Sequence, residues 1–530
     1  MSERRIALDG ISLSCRLVAV VARDRAKIAL AASARDRVGA AHQAATQVAA
    51  AQPVYGRSTG VGANREVAVG DDSEHCLRLL RSHACGAGPP VDEALCRATL
   101  VVRANQLAAG GSGVAPRLLD ALIAALNAGF TPPVARYGAI GTGDLTALAT
   151  TALCLLGERP WRGGHTARFG IVAEDGLAFM SSNAATIGEA AVACADLRDL
   201  LAVGTVIAAL TAVAVAASPE PYAAPVQDAH PHPGQRRVAA VLRELLAGTG
   251  PRPRRIQDPF GLRTLPQVHG AAEDAADRLA EVLGVELNCA AENPLVDTAG
   301  AAMWHNGNFH SATLALALDG ARAALHPAAA LSAARLSALT EPAFTGLRPF
   351  LADGPPASSG VLILEYIAHS ALADLRRLAA PATAGSAVLS RGMEEHASFA
   401  TQGGWALTEA IAAYRVVLAC ELVVSVRALR LLGRDPAADR LRQAFARAAS
   451  VLDPSTVDRP LEGDLAAASA LLGPGLLAGS GGAAHAQLRW LDDAAAVRLS
   501  RDRRQDEPDG GADDSVDVPV HRGERRRQQP

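Results

Sequence analysis

Apolar residues recur at every third and fourth position through most of the second half of this chain, the spacing that lays one stripe along an α-helix. The pattern predicts long helices over Arg236–Leu246, Ala271–Leu283, Ala312–Leu325, Val361–Leu378 and Thr408–Leu432. Helices of that length bury their stripes against one another as a bundle. Pro251–Pro253, Pro259, Pro266 and Gly354–Pro356 interrupt the pattern where turns are needed. Residues 1 to about 190 read differently: short helical runs alternate with glycine-rich loops at Tyr55–Gly62, Gly110–Gly113 and Gly138–Gly143. From about Ser500 apolar content collapses and charge alternates, which predicts a disordered tail. The expected division is a smaller loop-rich N-terminal domain over 1–190, a helical bundle over 191–499, and a charged tail over 500–530. The fold class is mainly α.

Leu200–Ser218 carries no charge and is long enough to span a bilayer. It is alanine-rich, lies between Asp199 and Glu220, and has neither aromatic belts nor basic flanks. A helix buried on all sides inside the bundle is the expectation, and no membrane association.

Composition narrows the chemistry. Of 530 residues 49% are hydrophobic and 20% charged, which is globular. Aromatic residues make up only 3%, against an all-β fold. The net charge of −3 argues against a nucleic-acid partner. Lys27 is the only lysine, so Schiff-base and P-loop chemistry is excluded at every other position. The eight cysteines form no C-x-x-C pair, so zinc-ribbon and thioredoxin-like sites fail. Scattered cysteines and a polar start at Asp9–Gly10 suggest a reduced, cytoplasmic protein.

Several short patterns carry candidate chemistry. Gly56-Arg57-Ser58-Thr59-Gly60 matches the serine-hydrolase elbow, but that motif needs a strand leading in, and the upstream residues read as helix. Gly110–Gly113 has no following lysine to hold a phosphate. His230-Pro231-His232 is a weak metal pattern and a turn is expected there, so no metal is assigned. Arg263 has the fork to clamp a carboxylate. Glu394-Glu395-His396 sets two acids beside an imidazole.

Their order along the chain is more telling than any one of them. Ala139-Ile140-Gly141-Thr142-Gly143-Asp144-Leu145 resembles the G-A-S-G-D-L signature of the histidine and aromatic amino-acid ammonia-lyases. Other blocks follow in the family's sequence. Leu8-Asp9-Gly10 resembles its opening, Tyr55–Gly62 its Y-G-V-N-T-G-F-G, and Arg81–Gly86 its R-S-H-A-x-G. Arg103-Ala104-Asn105, His232–Gln235, Gln257–Arg263, Asn293-Pro294-Leu295, Gly307–His310 and Glu394–Ser398 match further blocks. Together they cover about residues 6 to 400.

The resemblance implies a homotetramer of the aspartase/fumarase type, with each active site drawing on several subunits. It implies removal of ammonia from histidine or an aromatic amino acid to leave an α,β-unsaturated acid, with an aminomutase or methylidene-imidazolone-independent member of specialised metabolism, or a catalytically impaired ligand-binding or partner paralogue, as alternatives. It implies no external cofactor, but an electrophilic methylidene-imidazolone (MIO) closed from the chain's own backbone, here Gly141-Thr142-Gly143. Carried over residue by residue, Asp144 would assist that closure and Tyr55 would take the β-proton. Arg263 would clamp the substrate carboxylate, Asn293 would support the site, and His83, Glu394 and Phe309 would face the substrate. A histidine with a facing carboxylate resembles lyases for histidine or tyrosine.

Three positions depart from the family's pattern. Thr142 replaces the serine, so dehydration would leave a methyl on the alkene. Ser181 stands where the family has asparagine, with Asn183 two positions on. Phe260 replaces a tyrosine, keeping the ring and losing the hydroxyl. Gly141 for alanine and Glu292 for aspartate are milder.

Overall fold

The apolar stripes read from the sequence become the contacts between the longest helices. The computed structural model of the chain describes residues 5–70, 74–167, 169, 175–248, 253 and 255–477. The tail expected over 500–530, and the bundle's end from 478, lie outside the described residues. The first part runs β1 (Ile6–Leu8), α1 (Cys15–Arg23), β2 (Ile28–Leu30), α2 (Ala32–Ala51), α3 (His75–His83), β3 (Ala87–Pro90), α4 (Glu93–Ala108), α5 (Pro116–Ala128), β4 (Ala135–Tyr137), α6 (Leu145–Leu156) and α7 (Gly176–Met180). Then come α8 (Ala184–Ala214), α9 (Ala224–Asp228), α10 (Pro233–Leu245), α11 (Phe260–Arg263) and α12 (Leu265–Glu286). The hairpin β5 (Leu295–Asp297) and β6 (Ala302–Trp304) precedes α13 (Ala312–Thr340), α14 (Pro342–Thr345), α15 (Ile363–Leu378), α16 (Ala400–Leu432), α17 (Asp439–Val451), α18 (Glu462–Leu471) and α19 (Pro474–Leu477).

Strands are minor. β1 pairs with β2 in parallel, and β3–β4 and β5–β6 are antiparallel pairs. The frame is helical: α8, α12, α13, α15 and α16 pack along one another. The uncharged segment expected to be buried lies in α8, whose residues from Val203 to Ala214 are all buried. A helix apolar all round fits only inside such a core. One apolar core runs from Leu8 to Leu476, and position 190, where the domain division was expected, falls inside α8.

Three helices are longer than their stripes predict: α12 runs from Leu265 to Glu286, beyond 271–283 at both ends. α13 continues through Pro327 to Thr340, and α16 begins at Ala400, ahead of Thr408. At that end, Gly403 lies in ordinary packing distance of Leu318 on α13.

Candidate active site

The first loop of the site follows α2. A helix, not a strand, leads into Gly56–Gly60, which removes the hydrolase elbow. The Val54 carbonyl accepts from the Arg57 and Ser58 amides, and Gly56 takes φ +71°. A Cβ on Gly56 would lie 2.0 Å from Leu177, so only glycine fits this turn against α7. Tyr55 is thereby held half-buried, its hydroxyl accepting the Gly62 N–H at 2.8 Å. His305 stands edge-on to its ring at 6.2 Å.

The loop then meets the Glu394 segment of the same chain. The Ala63 amide donates to the Ser390 hydroxyl at 3.0 Å, and a Cβ on Gly62 would be 3.6 Å from a Glu394 carboxylate oxygen. Four residues on, Ser398 is buried and donates to the Gly141 carbonyl at 2.7 Å. The Ser311 amide, at the start of α13, donates to the same oxygen at 3.3 Å. Gly141-Thr142-Gly143 is a tight loop with φ +81° at Gly141 and +122° at Gly143.

On the other side of the tripeptide, the Gly143 amide donates to Asn183 Oδ1 at 2.8 Å. The Asn183 side-chain amide donates to the Phe309 carbonyl. The next residue, His310, bonds His396 at 3.0 Å, and the two rings stack. Tyr55, Glu394, Phe309 and the 141–143 loop thus form one connected constellation. Asn293 joins it from behind: its amide donates to Ser181 Oγ at 3.2 Å, and its side chain accepts the Asn306 amide at 3.0 Å. Next to it, Glu292 forms a buried ion pair with Arg103 at 2.9 Å.

Asp144 sits at the start of α6 but does not cap it. Its carboxylate turns to the first turn of α8, where the Thr186 amide and hydroxyl donate at 2.7 and 2.9 Å. Burial still dominates and pushes this carboxyl up to about 6. Asp144 and Glu189 also line an open crevice of about 540 Å³ with Thr186, Thr401, Arg136 and Trp405.

Two expected members are not joined to this constellation. His83 bonds the Leu79 carbonyl of its own helix at 2.8 Å. Arg263 lies on α11, where it donates to Gln257 at 2.8 Å and stacks over the exposed Phe260 ring at 4.8 Å. Its platform is anchored elsewhere. Arg335 donates to the Gly261 carbonyl at 3.1 Å, and the Tyr222 hydroxyl to that of Leu262 at 3.0 Å. These bonds satisfy carbonyls that a four-residue helix leaves open. Arg335 is held in turn by both oxygens of the buried Glu421, each at 2.7 Å.

Asn183, Ser398, Ser311 and Thr186 are contacts that motif matching did not assign. Ser398 ends a matched block, which is the only sequence signal for it. For Asn183 the signal is its place two positions past Ser181, and the fold brings it opposite Gly143. Among the described residues no cluster of three or more His, Cys, Asp or Glu side chains could hold a metal.

Residues 13–450 match the aromatic amino acid lyase family. The chain belongs to that family. A histidine ammonia-lyase from Symbiobacterium thermophilum is 34% identical over 489 residues, covering 88% of this chain and 96% of its own length. Among solved structures, histidine ammonia-lyase from Trypanosoma cruzi superposes with a TM-score of 0.81 at 27% identity, covering 88% of this chain and 93% of that one. Tyrosine aminomutase from Streptomyces globisporus gives 0.82 at 26%, covering 89% and 97%. The mainly helical fold of this lyase family member is therefore the one the sequence predicts.

Proposed function

We propose that this protein is an ammonia-lyase acting on histidine, yielding ammonia and the trans α,β-unsaturated acid. One observation carries the reading: the Tyr55 loop, anchored by the Gly62 amide, packs beside Glu394, and Ser398, four residues further on, bonds the Gly141 carbonyl. A phenol on a glycine-bounded loop suits removal of the β-proton. Glu394 and His305 make the surroundings polar, which suits an imidazole side chain better than a phenyl ring.

The tripeptide fits the prosthetic group of the family. Closure needs a carbonyl at 141, an amide at 143 and a β-hydroxyl at 142, and all three are present. The positive φ at both glycines provides the tight fold. Once formed, the group supplies a carbon electrophile for the substrate amine. The chain's own residues do the rest: Tyr55 accepts the proton, Glu394 orients the side chain, and Asn183 and Ser398 hold the loop. Arg263, carried on α11, binds the carboxylate of a substrate in a site of a neighbouring copy, within a homotetramer.

Ammonia and ultraviolet absorbance should be followed with histidine, tyrosine and phenylalanine. The reading expects matched release of ammonia and unsaturated acid from histidine, at a higher kcat/KM than from the other two. Equal or greater turnover of tyrosine would overturn the substrate, and no ammonia from any of the three would overturn the activity.

A further inference from the structure

We propose that Ser398 and Asn183 are the self-processing residues of this chain, activating the two backbone groups that join when Gly141-Thr142-Gly143 closes. The inference rests on the reading that this tripeptide forms the prosthetic group.

An amide carbonyl is a poor electrophile and an amide nitrogen a poor nucleophile, so closure needs help at both atoms. The Gly141 oxygen has two donors, the Ser398 hydroxyl at 2.7 Å and the Ser311 amide at 3.3 Å. Paired donors on a carbonyl oxygen stabilise the negative charge that develops there when its carbon is attacked. The attacking atom is the Gly143 nitrogen, whose proton points to Asn183 Oδ1 at 2.8 Å. Accepting that bond increases electron density on nitrogen. Asn183 cannot swivel freely, because its other end donates to the Phe309 carbonyl. Ser398 and Asn183 are each 3% exposed, so water does not compete for these bonds.

The geometry also accounts for two departures from the family's pattern. The asparagine missing at 181 has its counterpart in Asn183, which reaches the same loop. Glycine at 141 leaves room for Ser398, whose Oγ lies 2.1 Å from where an alanine Cβ would be.

The chemistry balances without an oxidant. A bond forms between the Gly143 nitrogen and the Gly141 carbonyl carbon. The oxygen gains a proton from Ser398, whose hydroxyl recovers one in exchange for the proton lost from the Gly143 nitrogen. That oxygen leaves as water with the Thr142 amide proton. The Thr142 hydroxyl leaves as a second water with the Thr142 Cα proton.

The test is the mass of the 141–143 peptide from the full chain, followed over time after synthesis, for wild type, Ser398→Ala, Ser398→Thr and Asn183→Ala. Thermal melting of each variant checks the fold. The wild-type peptide should lack two waters. Removing one such donor typically slows attack on a carbonyl by about 10²–10³-fold, so Ser398→Ala should retain both waters for far longer. Asn183→Ala should also be slow, and Ser398→Thr should recover most of the rate. If Ser398→Ala does not fold, Ser398→Cys keeps the volume with a weaker donor and takes its place. Water loss at the wild-type rate in both alanine variants would overturn the proposal while leaving the prosthetic group in place. A wild-type peptide that keeps both waters would overturn the prosthetic group itself, and this proposal with it.

Discussion

Ser311 and Arg335 stand about 35 Å apart along α13, taking 1.5 Å of rise per residue. The Ser311 amide holds the Gly141 carbonyl, and Arg335 holds the platform of Arg263. The Gly141–Gly143 loop and the Arg263 platform therefore occupy opposite ends of one helix. No side chain is long enough to close that gap. If both act on one substrate, they come from different copies of the chain.

Tyr55→Phe should leave the fold intact, since the lost hydroxyl only accepts the Gly62 amide. Removal of a general base commonly costs about 10²–10⁴ in rate. The expected result is a fall of that order in kcat with histidine, at an unchanged melting temperature.

Much of this was legible in the sequence. The three- and four-residue periodicity marks α10 and α15 nearly to their ends, and the ordered motifs single out Tyr55, Asp144 and Glu394. What the sequence cannot carry is which residues meet within one chain. Arg263 and Tyr55 both sit in matched motifs, yet only the path of α13 separates them. Asn183 lies in a segment that departs from its motif, so its bond to Gly143 emerges only from the fold. The reach of α16 back to Ala400 lies ahead of the periodic stripe and is visible only in the structure.

Arg335 and Glu421 are both fully buried, with Thr211 and Ser332 also donating to the carboxylate. Arg335→Met strands a buried negative charge and should cost about 3–5 kcal/mol. Arg335→Met combined with Glu421→Leu should recover a large part of that loss. Urea unfolding of the single and double variants measures both.

Glu189 provides a pH-dependent contribution. Burial pushes its carboxyl from the ordinary 4.5 up to about 7, with Arg136 opposing and Asp144 and Glu409 adding to the rise. The folded chain holds this proton more tightly than the unfolded one. Its contribution is complete below about 4.5 and is lost as pH climbs to about 7, amounting to about 3 kcal/mol. Glu189→Gln should therefore lose less stability than wild type across that interval, as read by denaturant midpoints at several pH values.

Gly141→Ala restores the family's residue but should not improve this protein. The new Cβ would press on Ser398 Oγ and on the Ala400 amide at 2.7 Å, at a residue with φ +81°. Backbone strain of this kind costs about 1–3 kcal/mol. A lower melting temperature than wild type is expected, measured before any modification of the loop.

The most direct test of the account is complementation between two inactive variants. Tyr55→Phe and Arg263→Ala are first shown to be impaired alone, then co-expressed in equal amounts and purified as mixed assemblies. With sites built from Tyr55 of one copy and Arg263 of another, about a quarter of sites in a random mixture carry both intact residues. Ammonia release from histidine should rise to about that fraction of wild type. Activity no higher than the mean of the two variants alone would contradict a site shared between copies.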